Sequence, residues 1–270
     1  MAGLRRLDAE LVRRKLARSR QEAQSLIEDG SILVDGVVSV KVTRQVTETV
    51  SIVVSQATGE RWVSRGAHKL LGALDAFEDF GLNFEGKSVL DAGASTGGFT
   101  QVALKRGARA VAAVDVGYGQ LAWELRQDPR VICIERFNVR NLTRADLPFE
   151  VDAVVADLSF ISLRTVLPAL VAAAQPSADL VLMVKPQFEV GRDSIGDGVV
   201  RDSTLRRDAV VGVIEKAQSL AAGLRAVSAS PLPGPEGNVE YFVWLQNGAA
   251  LASAEEVTSA VQRAVEEGPQ

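Results

Sequence analysis

The sequence holds one cysteine, Cys133, and one histidine, His68, among its 270 residues. A single cysteine excludes an intrachain disulfide, so a reducing compartment, the cytoplasm, is expected. Cys133 sits in an apolar run at 131–134 and is predicted to be a buried thiol without a chemical role. A single histidine excludes a multi-histidine metal centre, and no metal is expected. No apolar run approaches the ~18 residues that a spanning helix needs. The richest, VLPALVAAA at 166–174, fits one face of a soluble helix. The N-terminus carries arginines but no hydrophobic segment, so no secretory signal is expected. What remains is a globular chain with 47% hydrophobic and 24% charged residues, long enough for one large domain or two ordinary ones.

Its net charge of −4 is unevenly spread. Residues 1–20 hold Arg5, Arg6, Arg13, Arg14, Lys15, Arg18 and Arg20 against Asp8 and Glu10, an excess of +5. A basic segment on an acidic body predicts a polyanion partner addressed from one end. The same residues read as a small module. Leu7, Leu11, Val12 and Leu16 fall at helical spacing, and Ser19 with Glu22 forms a capping box for a second helix that Gly30 ends. Ile32, Val34, Asp35-Gly36, Val37 and Val38 predict a tight hairpin. Val46, Val50, Ile52 and Val54 predict further strand. Arg5, Arg6, Arg18, Arg20 and Lys41 are the candidate phosphate contacts. A polar stretch follows at 55–63. Its Trp62 is expected to bury against one domain or to mark a hinge. Ser64 opens a predicted helix from about 65 to 80, with Leu70, Leu71, Leu74 and Phe77 inward. Lys69 stands in its first turns, where a cation opposes the helix dipole.

The stretch KSVLDAGASTGGF at 87–99 organises the rest. An apolar strand ends in Asp91, glycines follow at Gly93, Gly97 and Gly98, and an amphipathic helix runs on to Lys105. Strand, glycine turn and helix let a ligand approach the backbone at the carboxyl end of a parallel strand. Ser95 stands where a second glycine is usual, so this is not the dinucleotide fingerprint. The next strand ends in Asp115, 22 residues past Gly93, the spacing at which nucleotide folds grip ribose hydroxyls. A nucleoside-containing cofactor is predicted. The α/β alternation continues with helices at 119–127, 162–174 and 204–221. Strands are predicted at 131–135, 151–156, 179–184, 225–229 and 239–246. Asp157 and Lys185 end two of the parallel strands and gather at the ligand edge. Glu240 begins the last strand and joins them only if that strand runs antiparallel.

The segments SRGAHKL, DAGASTGGFT, VDVGYGQL, VVADLSFISL, LVKPQFE and PGPEGNVEYF resemble the TlyA family over almost the whole chain. Residues 7–36 resemble the αL RNA-binding module of a small-subunit ribosomal protein. The resemblance implies a Rossmann-like S-adenosylmethionine (SAM)-dependent methyltransferase domain of FtsJ type at 65–270, behind an α+β RNA-binding domain at 1–58 and a linker at 59–64. It implies 2′-O-methylation of ribosomal RNA, at cytidine in small and large subunits, with ribosomal RNA and ribosomal subunits as partners and no membrane. It places SAM at Asp91, Gly93, Ser95, Thr96, Gly97, Gly98 and Asp115, with Asn138 and Asp157, and adds Arg65 to the RNA contacts. By motif match it also implies a catalytic tetrad of Lys69, Asp157, Lys185 and Glu240. Ala67-His68 replaces a glycine common in relatives, and the motif gives His68 no role. The basic N-terminus and a C-terminal helix opened by Ser253 and Glu256 match the family's longer form.

Deprotonating a 2′-hydroxyl calls for a positioned base. Lys185 is the first choice, with Asp157 orienting it and Lys69 and Glu240 positioning the ribose and Lys185. A membrane-active haemolysin needs a long apolar or strongly amphipathic helix, or barrel strands, and none stands out. An RNA-binding protein with a dead enzyme domain would have lost the glycine turn or the lysines, and both are present.

Overall fold

The computed structural model describes residues 4–28, 30–35, 37–39, 41–54, 62–191, 198–234 and 237–268. The chain divides into two compact units, Met1–His68 and Lys69–Gln270.

In the first unit, β1 (Arg5–Arg6) leads into α1 (Leu7–Arg13) and α2 (Arg20–Glu28). β2 (Ile32–Val34), β3 (Val37–Val38), β4 (Gln45–Val46) and β5 (Ile52–Val54) follow. The sheet order is β3-β2-β5, with β1 paired to β4. Leu7, Leu11, Ala23, Ile27, Ile32 and Val34 close a small core, as the helical and alternating spacings require. Ser19 accepts the Glu22 amide at 3.1 Å, but the Glu22 carboxylate takes the Arg18 amide rather than that of Ser19. The hairpin forms as predicted, with Asp35 at φ 52 entering its turn; Gly36 lies outside the described residues. Val50 falls in a turn instead of a strand. Most of the linker at 55–63 lies outside the described residues, and Trp62 is half-buried.

α3 (Gly66–Phe77) runs into a 3₁₀ turn at Glu78–Phe80 and stops at Gly81, φ 92. Leu70, Leu74 and Phe77 are buried, while Leu71 is half-exposed. Beyond it come β6 (Ser88–Ala92), α4 (Gly98–Lys105), β7 (Ala110–Val114), α5 (Trp123–Arg126) and β8 (Val131–Ile134). Then follow β9 (Val151–Ala156), α6 (Leu163–Ala173), β10 (Ala174–Val184), α7 (Pro186–Glu189), α8 (Ser203–Gln218), β11 (Ala222–Ala229), β12 (Tyr241–Asn247) and α9 (Ala254–Glu267). The seven strands are ordered β11-β12-β10-β9-β6-β7-β8. β12 runs antiparallel to both of its neighbours, and the β10–β9–β6–β7–β8 pairs are parallel. The start of β12 therefore lies at the carboxyl edge of the parallel strands, the condition Glu240 needed.

Several elements differ from the pattern reading. α5 spans four residues, not nine: Gly119 at φ 70 and its amide bond to Glu135 at 2.8 Å hold the preceding segment as a loop. β10 begins at Ala174, with a break in register before Asp179. Cys133 is half-buried, because β8 is an edge strand whose four residues are all partly exposed. Pro168 is tolerated inside α6 on its exposed side, while Val166, Leu167 and Leu170 face the core. The α9 capping box forms as read: Glu256 donates its amide to Ser253 Oγ at 3.2 Å and accepts the Ser253 amide at 2.7 Å.

Candidate active site

β6 is buried along its whole length, and the chain leaves it through Gly93 at φ 84. A Cβ on Gly93 would stand 2.6 Å from the Asp157 carbonyl, so only glycine lets the turn pass the end of β9. Ser95 is itself left-handed, at φ 48, which a short polar side chain tolerates. That geometry aims its amide at Asp115 Oδ2, 2.8 Å away, while the Gly117 amide meets Asp115 Oδ1 at 2.7 Å. Asp115 is thus clamped by backbone donors from two loops. Gly97 serves packing: a Cβ there would lie 2.3 Å from Leu125.

A cleft of about 520 Å³ opens at this edge, lined among others by Gly93, Ser95, Asp115, Asn138, Asp157 and Phe160. That size suits a small-molecule cofactor. Asn138 also caps a 3₁₀ turn by accepting the Arg140 amide at 3.0 Å. Four of the residues assigned to cofactor from sequence, Asp91, Thr96, Gly97 and Gly98, do not line it. Asp91 stands behind the turn, fully buried, its Oδ2 accepting from Thr100 at 2.6 Å. Its Oδ1 has no hydrogen-bond partner among the described residues. Burial, with lesser repulsion from Asp157 and Asp115, pushes its pKa up to about 7 against the Thr100 bond.

The two lysines and two carboxylates of the tetrad form two ion pairs. Lys185, at the end of β10, reaches Asp157 Oδ1 at 2.6 Å and donates to Ser159 at 2.9 Å. Lys69, on α3, is buried and bonds Glu240, with Met183 Sδ at 4.0 Å. Lys69 and Glu240 therefore face one another; the sequence reading gave them the positioning of the ribose and of Lys185. Asp157 and Ser159, the partners of Lys185, both line the cleft. Lys69 is buried and is not a solvated surface lysine. Ser159 and Phe160 went unremarked in sequence, although VADLSF carries both. Phe160 is 92% exposed at φ 64 and packs on Phe188 at 5.4 Å, joining the loop after β9 to α7. A bulky residue in that region signals local strain at a functional edge.

In the first unit Arg18 is almost fully exposed beside Glu22, Lys41 is exposed and Arg65 is half-buried. Arg5, Arg6 and Arg20 pair with Glu10, Glu48 and Asp8. The +5 segment is therefore not a set of free charges. His68 is half-buried.

A mostly parallel seven-stranded sheet with a glycine turn after β6 and a clamped acid after β7 defines a methyltransferase of the FtsJ-like class, whose pattern matches residues 62–247. The S4-domain pattern matches residues 5–48. The chain is 55% identical over 271 residues, 100% of both chains, to the 16S/23S rRNA (cytidine-2′-O)-methyltransferase TlyA of Mycobacterium tuberculosis. It is 37% identical over 241 residues to Hemolysin A of Brachyspira hyodysenteriae, covering 88% of this chain and 98% of that one. A solved hemolysin candidate from Streptococcus thermophilus superposes with a TM-score of 0.74 at 33% identity, covering 99% and 98% of the two chains. The chain belongs to the TlyA family.

Proposed function

We propose that this chain methylates the 2′-hydroxyl of a cytidine ribose in ribosomal RNA of both subunits, in the cytoplasm, using SAM. The observation that carries the reading is the pairing of Lys185 with Asp157 at the rim of a cleft whose floor is the Gly93 turn and Asp115. The S4-type match and the M. tuberculosis relative's activity support ribosomal RNA as the substrate. We assign RNA anchoring to residues 1–58, with Arg5, Arg6, Arg18, Arg20 and Lys41 as contacts, a linker to 59–64, and catalysis to 65–270, whose Arg65 is a further RNA contact.

The residues present fit SAM. Asp115 is fixed by two amides and keeps acceptor capacity on each oxygen for a ribose diol. The Gly93 turn leaves backbone at the cleft with no side chain in the way, and Asn138 adds an amide. When bound, SAM supplies an electrophilic methyl group on a sulfonium. In this reading Lys185, in its neutral form, takes the proton of the ribose hydroxyl, and Asp157 stabilises the ammonium that results. Ser159 fixes a second N–H direction of Lys185, leaving its remaining position for the hydroxyl. Lys69 and Glu240 form a neutralised, buried prop beneath the site.

Mapping 2′-O-methylated nucleotides in ribosomal RNA with and without the protein tests this. Gain of methylated cytidines in each subunit is expected, and none in either would overturn it. No helix among the described residues is long and apolar enough to cross a membrane.

A further inference from the structure

Two acids sit inside the most basic stretch of the chain. The Asp8 and Glu10 side chains on α1 have no solvent exposure, yet each is surrounded by arginines. Glu10 holds Arg13 through a two-pronged contact at 2.6 and 2.7 Å and Arg14 at 2.7 Å; Arg5 lies 3.8 Å away and donates its own hydrogen bond to Glu48 at 3.3 Å. Asp8 holds Arg6 the same way at 3.0 and 3.1 Å, with Arg20 at 3.6 Å and Gln24 at 3.4 Å. Arg14 is consumed internally, donating also to the Val50 carbonyl at 2.8 Å and the Glu48 carbonyl at 2.9 Å. The other four remain open to water, with side chains 40–62% exposed.

A guanidinium has five N–H donors, and a two-pronged carboxylate contact uses two of them. Arg6 and Arg13 are therefore each gripped along one edge and keep donors for a second anion. A long basic side chain ordinarily loses rotamer freedom when it meets a phosphate, and that loss weakens binding. A buried acid that has already ordered the arginine removes part of it. If charge alone mattered, two carboxylates at the centre of a polyanion-binding face would only weaken it.

We infer that Asp8 and Glu10 are positioning residues for RNA, two buried carboxylates that hold Arg5, Arg6, Arg13 and Arg20 as a pre-ordered fan for phosphate oxygens. The inference rests on the reading of residues 1–58 as the RNA anchor, and it adds Arg13 to the contacts.

The test measures affinity of the full chain for a labelled RNA stem–loop and for purified ribosomal RNA, across a salt series. Glu10→Gln and Asp8→Asn each make the protein more positive. Each is nevertheless expected to weaken binding about two- to tenfold per arginine released. Glu10→Asp, which keeps the charge but withdraws the carboxylate by one methylene, is expected to weaken it as well, and it stands in if the glutamine variant folds poorly. Thermal melting and SAM affinity are followed in parallel. Unchanged or tighter RNA binding in the two amide variants would overturn the inference, and so would a loss that merely tracks the fraction unfolded at the assay temperature. Arg6→Gln and Arg13→Gln separate the two levels. If they too leave affinity and salt slope unchanged, the RNA reading of this face fails; if they weaken binding while the amide variants tighten it, only the positioning role fails.

Discussion

Lys185 Nζ lies 2.6 Å from Asp157 Oδ1 and 2.9 Å from Ser159 Oγ, so its ammonium is fixed by one charged and one neutral oxygen. Lys185→Arg keeps the positive charge but removes any usable base, since arginine stays protonated at working pH. The variant is expected to fold and to bind SAM and RNA, with single-turnover methyl transfer slowed on the order of 10²–10⁴-fold. Near-wild-type turnover would exclude Lys185 as the base and turn attention to Lys69→Arg in the same assay.

Asp115 accepts the Ser95 and Gly117 amides, and we propose it as the acid that grips a cofactor ribose. Asp115→Ala should weaken SAM binding by ~1–3 kcal/mol, the range for a hydrogen bond to a charged group. Calorimetric titration reads this directly, and unchanged affinity would remove Asp115 from the cofactor site.

The Lys69–Glu240 pair is buried on both sides. Removing one partner strands a charge, so Glu240→Gln is expected to destabilise the protein by about 3–5 kcal/mol. Lys69→Met combined with Glu240→Gln should cost less than the sum of the single changes. Urea denaturation of the four proteins completes the cycle, and strict additivity would show that the pair is not coupled.

Asp91 has a folded-state pKa of about 7 against an ordinary 3.8. A raised acid pKa means that the folded state keeps its proton longer than the unfolded chain does. Stability from this group is therefore greatest below pH 3.8, declines as pH rises towards 7, and is level above that. Asp91→Asn should abolish that decline and stabilise the protein at pH 8 by up to about 4 kcal/mol. Denaturation at pH 5 and pH 8 compares the two, and a parallel pH dependence in both proteins would contradict it.

Glu10 shows the opposite sign. The Arg13 contact, aided by Arg14 and opposed by burial, lowers its pKa from 4.5 to about 2. Its stabilising contribution is complete above pH 4.5 and is lost as pH falls towards 2. The stability difference between wild type and Glu10→Gln should shrink over that window. A difference that stays constant down to pH 2 would show that the carboxylate is not held as a charged hub.

The strand–turn–helix around Gly93, the later Asp115, the hairpin at Asp35, the Ser253–Glu256 capping box and the Ser19 half of the Ser19–Glu22 one were legible because each is local. Periodicity, glycine and capping chemistry act over a few residues, and a sequence displays them directly. Even there α5 was read as longer than it is, since Gly119 and its bond to Glu135 are loop geometry that no apolar spacing records.

By itself the sequence determined the α/β alternation, the basic N-terminal module and the motifs that place Lys69, Asp157, Lys185 and Glu240 in one family pattern. Only the tertiary structure decided who pairs with whom. Lys69 and Glu240 are 171 positions apart and meet because β12 runs antiparallel beside β10. Asp157 falls to Lys185 because β9 and β10 are parallel neighbours whose ends coincide. Asp8 and Glu10 read as two negative charges in a basic run, and in the folded unit they are hubs covered by the arginines they hold. Long-range pairing and burial follow from strand order and packing, which are properties of the whole chain and not of any window along it.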